Sequence, residues 1–132
     1  MPVSEDRLLE RGFNQAERLG AYLAQAALIP LHDVLRRTRH SSKQSSKTRG
    51  ARLRDTLHLF QADAESLRDM LATIKKSKSA SVQSHVVRLL LIDDIYTTGS
   101  TVHACARTLF ESINLENPAL HVEIYSLTLA RS

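Results

Sequence analysis

The chain has 132 residues, 18 lysines and arginines against 14 acids, a formal net charge of +4 and a single cysteine, Cys105. That length sets one domain with a real core, burying roughly two-thirds of its unfolded surface; the lone cysteine excludes an internal disulfide, and no apolar run approaches the ~20 residues that cross a bilayer. A pI of about 9.6 favours anionic partners such as phosphates, nucleotides or nucleic acid.

The N-terminal MPVSEDRLLERGF has no apolar leader core, so a cytoplasmic protein with no membrane partner is expected. Residues 1–11 carry few structural signals. Pro2 and Val3 read as the stump of a strand, followed by a polar loop. Arg11, Gly12, Phe13 and Asn14 form a turn, with Asn14 as an N-cap and Glu17 three residues on. Ala16, Leu19, Gly20, Leu23, Ala24 and Ala27 then recur at helical spacing, which predicts a helix over 15–27. The turn has two readings, a cap with an anchoring phenylalanine or a ligand contact.

Residues 28–38 predict a short strand. From Arg36 to Arg54 there are eight lysines and arginines and no acid. Inside that run, HSSKQSSKT at 40–48 is too polar to pack, so a flexible basic loop is expected over about 39–52. A short basic helix is expected over 49–57, and Leu57, Leu59 and Phe60 mark a return to the core. Leu67, Met70, Leu71 and Ile74 share one face of a helix over 64–74. A solvated Lys/Ser linker follows over about 75–85.

Residues 86–92 form an almost continuous apolar run broken only by Arg88, the pattern of a strand covered on both faces. Val102, Cys105, Ala106, Leu109 and Ile113 are the packing face of a helix over 101–113. Residues 114–118 break it. In the last strand Val122, Ile124, Ser126 and Thr128 lie on one side, and Tyr125, Leu127 and Leu129 on the other. This order of elements implies a parallel sheet with crossover helices.

The stretch richest in chemistry is 89–101, LLLIDDIYTTGST. A buried strand leads into two carboxylates, then a hydroxyl-rich loop around one glycine, then a helix. Backbone N–H groups in such a loop, with the helix N-terminus behind them, make an anion seat. Gly99 permits a close approach or a positive φ, and Thr97, Thr98, Ser100 and Thr101 add hydroxyls. Carboxylates repel phosphate, so Asp93 and Asp94 should face sugar hydroxyls or Mg²⁺. A phosphate seat beside acids that can hold a diol reads as a ribose 5-phosphate site. No GxxxxGK[ST] or GxGxxG pattern competes with it.

This stretch resembles the phosphoribosyl pyrophosphate (PRPP) motif of type I phosphoribosyltransferases. The resemblance implies a type I phosphoribosyltransferase-like α/β fold, a parallel sheet flanked by helices. It makes Asp93 and Asp94 the catalytic pair that contacts the ribose hydroxyls and holds Mg²⁺. It makes 93–101 (Asp93, Asp94, Ile95, Tyr96, Thr97, Thr98, Gly99, Ser100 and Thr101) the PRPP-binding segment. RGFNQAE at 11–17, LRRTR at 35–39, Gln44, Arg52 and Phe60 further resemble the competence-associated ComF/GntX branch, whose ending is echoed by 127–131. A role in DNA uptake and natural transformation is implied.

The chain departs from that branch in places. It lacks a four-cysteine zinc segment, and 61–85 is longer than the branch usually has. Asp55 stands where asparagine is common. Met1-Pro2-Val3 falls inside the branch's first core strand, so a short form lacking N-terminal strand structure is expected.

In a PRPP transferase, displacement at the anomeric carbon builds oxocarbenium character, and the leaving pyrophosphate needs Mg²⁺ and cations. Arg37, Arg39, Lys43 and Arg52 are the candidates for pyrophosphate or nucleic acid, with the basic run closing as a lid. The alternatives for that run are a solvated surface loop or a single-stranded-DNA patch, although few aromatics lie near it. Two functions stay open: an enzyme using PRPP or a nucleoside phosphate, and a non-enzymatic PRPP-sensing or DNA-binding module. Tyr96 either stacks on a ligand or shields the loop. Cys105 reads as a small core residue, and the six histidines show no zinc spacing.

Overall fold

A computed structural model describes residues 1–3, 5–38, 59–77 and 86–132. The described elements are α1 (Glu5–Arg11), α2 (Gln15–Ala27), β1 (Leu35–Arg37), β2 (Phe60–Ala62), α3 (Ala64–Ser77), β3 (Val86–Tyr96), α4 (Ser100–Glu116) and β4 (His121–Arg131). The expected basic loop and basic helix lie outside the described residues, as does 78–85 of the expected linker.

α2 has the expected bounds. Asn14 is extended at φ −94°, and its side chain accepts from the N–H groups of Ala16 and Glu17, which satisfies two otherwise orphan donors. Gly20 is the point where α2 meets β3. A Cβ there would come within 3.3 Å of Leu31 Cδ1 and 3.7 Å of Ile92 Cγ1, so an added methyl would need the Leu31 side chain to give slightly. Residues 5–11, expected as a polar loop, are instead helical. The local signal is weak because Leu8 and Leu9 are adjacent and both exposed, which gives no apolar stripe to read.

α3 begins where the sequence places it, with the Asp63 carboxylate accepting from Ser66 N–H at 2.8 Å. Those hydrogen bonds from Ser66 hold the Asp63 pKa below the usual carboxylate value. The helix continues to Ser77, so Lys75 and Lys76 close its last turn rather than open a linker. Cations there complement the helix dipole.

β3 and β4 pair in parallel, from Val86 opposite His121 to Tyr96 opposite Arg131, with α4 as the crossover between them. This is the expected β–α–β unit. The expected strand over 28–38 shortens to Leu35–Arg37. It joins an antiparallel pair with Phe60–Ala62, a strand the sequence did not announce. Among the described residues the two pairs form separate two-stranded sheets. A three-residue strand is too short to display a period of two, so neither β1 nor β2 has a readable pattern.

The core lies between these units. Val34, Leu35 and Phe60 from the antiparallel pair meet Leu67, Met70 and Leu71 of α3, Leu91 of β3, and Ala104, Cys105, Leu109 and Ile113 of α4. The helix faces expected from sequence are the ones that pack. β3 has a helix on each side, as expected, but the face that α2 meets at Ile92 is only partly covered. Leu90 is 48% exposed, and its neighbours Tyr125 and Leu127 on β4 are also exposed.

Candidate functional site

β3 does not stop before the acids. β4 keeps pairing with it, Asp93 opposite Thr128, Ile95 opposite Ala130 and Tyr96 opposite Arg131. The acid pair therefore lies within the strand, where successive side chains alternate between faces. Asp93 lines a small cup together with Ile95, Tyr96, Thr97, Gly99, Thr101 and Val102. Asp94 instead meets α1, its Oδ2 lying 3.6 Å from Arg11 Nη1. The backbone N–H of Asp94 donates to Asp93 Oδ1 at 3.0 Å.

Burial is the main reason the Asp93 pKa rises above its ordinary value. The hydrogen bond from the Asp94 backbone opposes it, and the nearby negative charge of Asp94 adds to it. On the far side, the Met1 ammonium donates to the Ile92 carbonyl at 2.7 Å. Burial lowers the pKa of that ammonium, against the pull of Asp93.

The loop holds its shape through glycine and tyrosine. Gly99 has φ +74°, in the left-handed region, and a Cβ on it would stand 2.6 Å from Tyr96 Oη. Any side chain there meets both backbone strain and a ring. α4 starts directly after it with no side-chain cap. Among the described residues its first N–H, on Ser100, reaches only Thr98 Oγ1 at 3.5 Å, and the hydroxyls of Thr98 and Ser100 bond each other. A 17-residue helix thus presents its positive end and loosely engaged donors beside the cup. The cup measures about 20 Å³, room for a water-sized group and not for a sugar.

The expected PRPP segment therefore divides. Asp93, Ile95, Tyr96, Thr97, Gly99 and Thr101 line the cup, whereas Asp94, Thr98 and Ser100 do not: Asp94 meets Arg11, and the Thr98 and Ser100 hydroxyls meet each other. Arg37 sits on β1 with its guanidinium 5.9 Å from the centre of the Phe60 ring, and it does not line the cup. Arg39, Lys43 and Arg52 lie outside the described residues.

Sequence reasoning missed Val102, an ordinary apolar helix residue in the linear pattern. It also missed Arg131, which the parallel register carries to 5.9 Å from the Tyr96 ring centre. Cys105, buried as expected, has its thiol pushed up to about 12 by burial, so it supplies no thiolate near neutral pH. Among the described residues no three His, Cys, Asp or Glu gather into a metal-holding cluster, and no helix is long and apolar enough to cross a membrane.

Compared with known proteins, the chain is 33% identical over 132 residues, its full length, to Competence protein ComFC of Bacillus subtilis (strain 168), covering 43% of that protein. It is 36% identical over 112 residues, 85% of the chain, to Competence protein ComFC of Streptococcus pneumoniae (strain ATCC BAA-255 / R6), covering 40% of it. The chain thus spans less than half the length of the curated relatives it matches. No protein-family model matches the chain, and no solved structure matches it significantly.

Proposed function

The chain belongs to the ComF family, and from that premise we propose that it is a phosphoribosyltransferase-like protein. On this reading it binds PRPP or another ribose 5-phosphate compound with Mg²⁺ and serves a competence role in DNA uptake. The observation that carries the reading is the strand–loop–helix junction. Asp93 shares one cup with Thr97, Gly99 and Thr101 at the open start of α4. A phosphoryl group would sit at the mouth of the cup, held by backbone N–H groups and hydroxyls, with the sugar lying outside it along the acids.

The donor set fits magnesium. Asp93 offers hard carboxylate oxygens at the cup, and Mg²⁺ is commonly held by one or two carboxylates together with substrate phosphates and water. Bound there, it would offset the charge that grows on a departing pyrophosphate. The acids of this chain would orient the ribose hydroxyls, and the loop would fix the 5-phosphate.

Calorimetric titration of PRPP and of ribose 5-phosphate, with and without Mg²⁺, tests this. Binding by the wild type is expected, weakened about tenfold in Asp93→Asn, the size of one charge-assisted hydrogen bond. A wild type that takes up neither compound sinks the reading.

A second reading is a non-enzymatic module that senses PRPP or holds single-stranded DNA. It is favoured by the eight cations and no acid across 36–54. Under this reading DNA affinity falls steeply with salt, and changing Lys43, Arg49 and Arg52 to alanine flattens the slope. A salt-independent affinity rules it out.

A further inference from the structure

We propose that Arg11 is a positioning residue of the ribose-phosphate site, holding Asp94 in place and balancing its charge; this rests on the site reading proposed above. Arg11 lies at the end of α1, far from the acid pair in sequence, yet its guanidinium reaches both Asp94 Oδ2 at 3.6 Å and Gln15 Oε1 at 2.6 Å. The second anchor matters. A lone exposed ion pair contributes little, because two long side chains must be ordered and water screens them. Here Gln15 gives the guanidinium a second partner, and the Asp94 side chain is only 20% exposed.

The whole turn is tied to the same strand. Asn14 caps α2 and also donates from Nδ2 to the Met1 carbonyl at 3.1 Å, while Met1 donates to the Ile92 carbonyl beside the acids. Two tethers therefore dock residues 11–14 against the part of β3 that leads into the site. The cap expected of this turn is present, and on the proposal made here the same turn also serves the site.

Two consequences follow for a ligand. Asp93 and Asp94 together would present two negative charges to an incoming phosphate ester. Arg11, 3.6 Å from Asp94, would offset part of that charge. It also keeps the Asp94 carboxylate in one orientation, so a sugar hydroxyl meets an acceptor already in place. The loop that holds the phosphate is built separately, from Thr97, Gly99 and Thr101. Loss of Arg11 should therefore affect the sugar more than the phosphate.

The test uses the full chain with two probes, ribose 5-phosphate and inorganic phosphate, on wild type, Arg11→Gln, Arg11→Lys, Asp94→Asn and the double variant Arg11→Gln/Asp94→Asn. Arg11→Gln should lower ribose 5-phosphate affinity about tenfold and inorganic phosphate affinity less than about twofold, as expected of one coupled contact. Arg11→Lys should recover part of the loss. The double variant should bind no more weakly than Asp94→Asn alone. Equal losses for both probes, or additive losses in the double variant, overturn the positioning role while leaving the site reading intact. A wild type that binds inorganic phosphate but not ribose 5-phosphate overturns both. Urea melts of each variant check folding. If Arg11→Gln does not fold, the Arg11→Lys comparison between the two probes decides by the same criterion.

Discussion

Two helices of this protein begin in opposite ways. α2 closes its own N-terminus, with the Asn14 side chain accepting from Ala16 and Glu17 N–H. α4 begins from a left-handed glycine with no side-chain cap, and its first donor has only a long contact to Thr98. A helix start that serves packing alone is expected to satisfy its donors internally, since orphan N–H groups cost stability. A start left open beside a carboxylate and a hydroxyl-rich loop leaves its donors free for something else. On the function proposed here, that something is the phosphate.

The sharpest way to break this contrast is Gly99→Val. A β-branched residue at φ +74° is strained, and its Cβ would collide with Tyr96. Stability should fall by about 1–3 kcal/mol in a urea melt, and ribose 5-phosphate binding should disappear in the same calorimetry. Asn14→Ala makes the reciprocal change. It should cost about 1 kcal/mol, the usual worth of an N-cap, while affinity for inorganic phosphate stays within about twofold. If Asn14→Ala abolished phosphate binding and Gly99→Val did not, the two starts would have to exchange roles.

The smallest effect concerns Asp93. A carboxyl whose folded pKa lies above its unfolded value holds its proton more tightly in the native state. Its stabilising contribution is then fully present below the unfolded value of about 3.9 and is lost as pH rises through the folded value. Asp93 is raised in this way, chiefly by burial. Asp93→Asn removes the buried charge and keeps an oxygen to accept from Asp94 N–H. The variant should melt at a higher temperature than wild type at pH 7, and the gain should shrink toward zero near pH 3. An advantage that did not depend on pH would point to packing, not ionisation.

How legible each part was follows from its length and locality. α2 could be read from sequence because thirteen residues repeat their apolar face and carry their own cap. β3 could be read from its continuous apolar run and α4 from its repeating apolar face, and 89–101 stood out as a candidate site because its chemistry is contiguous. α1 could not, since seven residues with two exposed leucines offer no periodicity. β1 and β2 could not either, because three-residue strands exist only through each other. Within the site, Asp93, Thr97, Gly99 and Thr101 could be anticipated. The separation of Asp94 toward Arg11 could not, because it depends on β4 extending the strand through the acids.

By itself the sequence determined the β–α–β unit that bears the candidate site and the faces that form the core. These are local properties of spacing, turn chemistry and burial. Only the tertiary structure decided that the acids lie within a strand and alternate across it, that Arg11 reaches Asp94, and that Arg131 comes to rest by Tyr96. Each depends on strand register or on segments far apart in the chain, and no linear pattern encodes which distant side chain arrives at a given point.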